Sequence, residues 1–159
     1  MEHQLPLFAS ELAPADQQKV REVLILLECQ LREPGAAFTS SSSVRDWLRL
    51  QLATLDHEAF IVLWLDNQHR LTAHDTLFLG TINSITVHPR EVVKAGLKHN
   101  AAAAILAHNH PSGEAEPSDA DRRITARLKQ VLELVDIRLL DHLVVGGMDI
   151  TSFAERAWL

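Results

Sequence analysis

Residues 59–65, Ala-Phe-Ile-Val-Leu-Trp-Leu, are apolar without interruption between Glu58 and Asp66-Asn67. Such a run reads as a strand at the centre of a covered sheet, because both of its faces must leave water. This constrains the fold more than any other stretch. Asp66-Asn67-Gln68-His69 reads as a hairpin turn into a second strand from about Arg70 to Leu79. Gly80 breaks that strand, and Ser84 to Val87 offers a third. Ala101 to Ala107 reads as another buried strand despite alanine's helical preference, because it is short and runs into a loop. Ile137 to Val145 is a further strand, closed by a turn at Gly146-Gly147.

Helical patterns lie between these strands. In residues 14–31, Val20, Val23, Leu24, Leu27 and Leu31 form one apolar stripe, with Pro14 in the first turn and Glu33-Pro34-Gly35 as the stop. This helix packs on the core or on another subunit, and Cys29 on it reads as a small buried side chain. Ser43 reads as the N-cap of a second helix, with Asp46 at capping-box spacing and Val44, Trp47, Leu48 and Leu55 on its apolar side. Pro89 opens a third helix with Val93 and Leu97 on one face, ending by Asn100. Pro117-Ser118 starts a fourth, with Ile124, Leu128, Val131 and Val135 in phase. The tail after Ile150 reads as a short helix or cap. Interleaved strands and helices give an α/β or α+β class with a central sheet.

The chain has 159 residues, enough for one compact domain. No apolar stretch approaches the length of a membrane span. Met-Glu-His-Gln at the start lacks the pattern of a signal peptide, which points to the cytoplasm. The single Cys29 forms no internal disulfide and excludes a cysteine-rich metal site. A net charge of −6 argues against direct nucleic-acid binding. Arg122, Arg123, Arg127 and Lys129 are the local exception: a solvated helix face, or a basic rim that steers an acidic partner.

Residues 108–121, His-Asn-His-Pro-Ser-Gly-Glu-Ala-Glu-Pro-Ser-Asp-Ala-Asp, carry the chemistry. A catalytic zinc takes three protein ligands and leaves a fourth position to water, and His108, His110 and Asp121 can fill those three places. A His-x-His pair alone is weak, since nine His in 159 residues give about 0.5 such pairs by chance. Ser118-x-x-Asp121 alone can be a capping box, as at Ser43-x-x-Asp46. Position adds weight. Alternate residues of an extended segment point the same way. Pro111 and Gly113 turn the chain, and Asp121 lies in the first turn of the restarted helix. Asp121 bound to metal is not expected to reach back to the Ser118 backbone N–H as well. The Ser118 hydroxyl either caps or faces the open coordination position.

His-x-His-Pro followed by Ser-x-x-Asp, with a glutamate upstream of a buried strand, resembles the JAMM (MPN-plus, JAB-type) metalloprotease motif. Gly80-Thr81, Pro89-Arg-Glu-Val-Val-Lys94, His108-Asn-His-Pro-Ser-Gly113, Pro117-Ser118, Asp141-His142 and Ser152-Phe-Ala-Glu155 resemble the bacterial RadC family, from about residue 38 to the C-terminus. The resemblance implies a JAB/MPN-type, cytidine-deaminase-like α/β/α arrangement around a mixed central sheet. Residues 1–37 would be an N-terminal helical extension and 38–159 the RadC-like domain. It implies one Zn2+ per chain on His108, His110 and Asp121, with Glu58 as the upstream glutamate and Ser118 as the motif serine. Asn109 stands between the histidines, as in the RadC branch, where eukaryotic isopeptidases of the clan have Ser or Thr. Full-length RadC proteins have an N-terminal helix-hairpin-helix-like region. The first glycine here is Gly35, so the chain looks like a short stand-alone form of the kind found in mobile elements.

These features lead to zinc-dependent hydrolysis of an amide bond in a protein or peptide substrate, with Glu58 as general base and Ser118 at the oxyanion. Two alternatives stand beside it: a non-catalytic JAB-like binding module, and the DNA repair or recombination role that the RadC name carries. A homo-oligomer through the N-terminal helix is a further expectation. His142 reads as a core histidine or one that supports a ligand rather than a fourth ligand.

Overall fold

A computed structural model describes residues 12–33, 42–53, 55–80 and 86–159. Its elements are α1 (Pro14–Leu31), α2 (Ser42–Leu52), β1 (Ala59–Leu65), β2 (Leu71–Leu79), α3 (Pro89–Lys98), β3 (Ala103–Asn109), α4 (Asp119–Glu133), β4 (Arg138–Gly146) and β5 (Asp149–Ser152). The strands form one sheet in the order β2-β1-β3-β4-β5. β1 pairs antiparallel with both neighbours, while β3 and β4 run parallel. A parallel pair needs a crossover, and α4 supplies it.

Every residue of β1 and of β3 is buried, because helices cover both faces of the sheet. Alternate residues feed opposite cores. Ile61, Leu63, Ala107 and Val145 pack with Trp47, Leu48 and Leu24 under α1 and α2. Phe60, Val62, Leu106 and Leu139 pack with Val92, Leu128 and Leu132 under α3 and α4. The class is therefore α/β, three layers around a mixed sheet. No described helix is long and apolar enough to cross a membrane.

α1 packs on this same body through Leu24, Glu28 and Leu31, and Trp47 Nε1 donates to Glu28 Oε1 at 3.2 Å. Several local expectations need correction. Val23 and Cys29 are exposed, since the buried side of α1 is centred on Leu24, Glu28 and Leu31. Ser43 lies inside α2 and bonds Gln30 instead of capping, while Asp46 pairs with Arg49 at 3.0 Å. Leu55 is buried but lies beyond the helix.

α3 buries Val92 and Gly96 against the sheet, Val93 packs at the edge of the same core, and Leu97, expected beside Val93, is 56% exposed. A Cβ at Gly96 would stand 2.7 Å from Ile137 Cδ1, so glycine is what permits the close approach. Thr86 and Val87 form no strand, and residues 84–85 lie outside the described residues. The tail holds β5 rather than a helix: Asp149–Ser152 returns along β4, and turns follow it.

Candidate metal centre

His108 and Asn109 close β3, and His110 follows with its N–H bonded to Val145 C=O at 2.8 Å. The chain then turns tightly. Gly113 N–H reaches His110 C=O at 3.0 Å, with Gly113 at φ +88, a conformation glycine adopts freely. The loop lies against Gly146, where a Cβ would meet Ala115 N at 2.3 Å. Helix α4 starts at Ser118, its N-cap, and Asp121 lies in the first turn.

Strand end and helix start converge. Nε2 of His108 stands 3.1 Å from Nε2 of His110 and 3.3 Å from Asp121 Oδ1, and Nε2 of His110 stands 3.1 Å from Asp121 Oδ2. One donor atom from each residue lies within 4.8 Å of the others. Ligands about 2.0–2.1 Å from a tetrahedral ion stand about 3.3 Å apart, so these spacings fit one small divalent cation.

The surrounding hydrogen bonds assign the ring protons. His110 Nδ1 faces Glu114 C=O at 2.9 Å; a carbonyl only accepts, so Nδ1 carries the proton. Thr125 Oγ1 donates to Asp121 C=O at 2.6 Å and must therefore accept from His142 Nδ1, also at 2.6 Å. His142 is fully buried, and burial, then the charge of His108, hold it well below the usual imidazole range and neutral. Its Nε2 is thus an acceptor, and His108 Nδ1–H donates to it at 2.7 Å. With Nδ1 as the proton carrier of each neutral ring, both Nε2 atoms face the carboxylate, where a proton or a cation can bridge ring and Asp121. Two Nε2 atoms and one carboxylate form a donor set that fits a metal. His142 is the support expected of it: it orients a ligand and does not join the cluster.

A β-bulge puts it there. Ala104 pairs with Leu139 and Ile105 with Asp141, which leaves Leu140 extra. The extra residue shifts the alternation, so that His142 joins the α4 side while Leu140 stays on the other. Asp141, fully buried, steadies the bulge. Its Oδ1 accepts from His142 N–H at 2.7 Å and Ala154 N–H at 3.0 Å, and its Oδ2 accepts from Ser152 at 2.6 Å.

Ser118 and Asp121 also form a full capping box: Asp121 N–H to Ser118 Oγ at 3.0 Å and Ser118 N–H to Asp121 Oδ2 at 2.8 Å. The expected conflict between cap and ligand does not arise, because a carboxylate has lone pairs for both on its two oxygens. Burial pushes the Asp121 carboxyl up, but hydrogen bonds from His108 and His110, the charge of His108 and the Ser118 N–H outweigh it and hold it far below the usual range.

Glu58 immediately precedes β1, and its carboxylate senses His108, His110 and Asp121 electrostatically. Burial raises its pKa, the two histidines oppose this, and Asp121 adds to it. Asp56, the rival carboxylate, is exposed and pairs with His57 at 2.9 Å. A hollow of about 250 Å3 opens beside His108 and Asp121, walled by Phe60, Val87 and Ile124.

A family model described as the RadC-like JAB domain matches residues 38–158. The chain belongs to the RadC-like JAB family. It is 58% identical to the UPF0758 protein YkfG of Escherichia coli, over 98% of this chain and 99% of that one. It is 55% identical to YeeS of the same organism, over 93% of this chain and all of that one. A UPF0758 protein of Cellvibrio japonicus is 61% identical over 79% of this chain and 56% of its own length. JAB families include metalloproteases, and the His108, His110 and Asp121 group is consistent with a metal-binding RadC-like JAB domain.

Of the basic residues on α4, Arg122, Arg123 and Arg127 are exposed, and Arg122 lies 4.2 Å over the Trp158 ring. They form a solvated face, with Arg122 tied to the C-terminal tail.

Metal uptake must displace a proton from His110. The hydrogen bond that His110 donates to Asp121 raises its pKa above 6.5, burial opposes this, and the Glu114 carbonyl adds to the rise. Metal affinity is therefore expected to climb about tenfold per pH unit up to that raised value and to level off above it, because protonated imidazole cannot ligate. Calorimetric titration from about pH 5.5 to 8.5 checks this; a flat profile contradicts it.

Proposed function

We propose that this RadC-like JAB domain is a zinc-dependent hydrolase of amide bonds in peptides or proteins. The supporting observation is the convergence of two Nε2 lone pairs and one carboxylate, with Glu58 adjacent. His108, His110 and Asp121 would hold one Zn2+, their ligand atoms being those zinc prefers when no cysteine is at hand. When bound, zinc supplies Lewis acidity and brings the pKa of a coordinated water to about 7.

The chain's own groups do the rest. Glu58 takes a proton from the attacking water and delivers it to the leaving amine nitrogen. Its raised pKa suits this exchange, since a base with a pKa nearer the working pH returns the proton more readily. Ser118 Oγ accepts from the Asp121 N–H, so its own proton remains to donate to the developing oxyanion. The apolar wall of Phe60, Val87 and Ile124 suits an apolar side chain next to the scissile bond.

The test is a peptide-library digestion by zinc-loaded protein, with products read by mass spectrometry. The proposal expects cleavage that stops on chelation and returns with zinc. Equal cleavage with and without chelator, or none across the library and unfolded protein substrates, overturns it.

A further inference from the structure

Asn109 sits between the two ligand histidines and is 2% exposed. A buried carboxamide needs partners for both ends. Its Oδ1 accepts from Ala59 N–H at 2.8 Å, and its Nδ2 donates to His57 C=O at 2.9 Å. Those are the peptide groups on either side of Glu58. A carbonyl only accepts and an N–H only donates, so the orientation of the amide is unambiguous. We infer that Asn109 is a positioning residue: it clamps the backbone around Glu58 and so fixes the base relative to the metal. The inference rests on the role assigned to Glu58 above.

Three features make the clamp effective. The β1–β3 ladder pairs Phe60 with His108, leaving Glu58 beyond the paired residues. Asn109 itself is held in register against Val145 of β4, so its backbone moves with the ligands on either side. On the other edge, Glu58 C=O accepts from Gly80 N–H at 2.8 Å. The backbone at Glu58 is therefore held from β3 and from the end of β2 together. A shorter hydroxyl has one donor and cannot span both peptide groups. Catalytic groups must be held to about 0.5 Å, and a misplaced base loses most of its effect.

A double-mutant cycle tests this without a substrate. The probe is acetohydroxamic acid binding to zinc-loaded protein, because its two oxygens chelate zinc while its N–OH proton passes to a neighbouring carboxylate base. Glu58→Gln should weaken binding roughly tenfold, and Asn109→Ser by a similar factor with zinc content unchanged. The double variant should be no weaker than Glu58→Gln alone, since contacting residues couple. If Asn109→Ser fails to fold, the isosteric Asn109→Asp, which loses the donor to His57, replaces it with the same expectation. Wild-type affinity in the Asn109 variant, or additive losses in the double variant, overturns the clamp and leaves Glu58 as the base. Unchanged affinity in Glu58→Gln overturns both.

Discussion

Glu58→Gln is expected to slow cleavage by about 10²- to 10⁴-fold, the usual contribution of a positioned general base, while one metal per chain stays bound. Glutamine keeps the shape of the side chain but cannot take a proton. The pH profile gives a second readout. Burial raises the Glu58 pKa above 4.5 against the pull of His108 and His110, with Asp121 assisting. The base acts when ionised, so wild-type activity should fall as pH drops through this raised value, and the variant's residual activity should lack that limb. Rates on any peptide found by library digestion measure both effects. Loss of metal from the variant would make Glu58 a ligand instead of a base.

Chelation is expected to lower the melting temperature by about 8–16 °C. The folded chain brings His108, His110 and Asp121 within 4.8 Å; the unfolded chain does not hold them together, so the ion binds only the folded state. At a free ion concentration 1,000 times Kd, such binding contributes about 4 kcal/mol. A domain of this size loses roughly 2–4 °C per kcal/mol. Scanning calorimetry with and without chelator measures the shift. His108→Ala lacks a ligand and should melt at one temperature in both buffers. An equal shift in that variant would place the chelator's effect elsewhere.

The convergence of His108, His110 and Asp121 into one group that could hold a metal was legible because their chemistry and their positions coincide: paired histidines, a Pro-Gly turn and a helix start. β1 was legible because seven buried residues leave no polar interruption. Other features carry no such signal. The bulge at Leu140 reverses the alternation that would otherwise put His142 on the wrong side of the sheet, and no period in the sequence reports a bulge. β5 is four residues long with only Ser152 buried, too short and too polar for a strand pattern. At α3 the buried positions are Val92 and Gly96; Gly96 has no side chain to register in an apolar stripe, and the exposed Leu97 misleads. Asn109 acts through backbone groups about 50 residues away, and backbone partners leave no trace in side-chain spacing.

The metal centre itself is the central claim, and elemental analysis of purified protein after zinc loading tests it most directly. One zinc per chain in the wild type and none in His108→Ala is the expected result. No zinc in the wild type, or zinc retained in the variant, would contradict it.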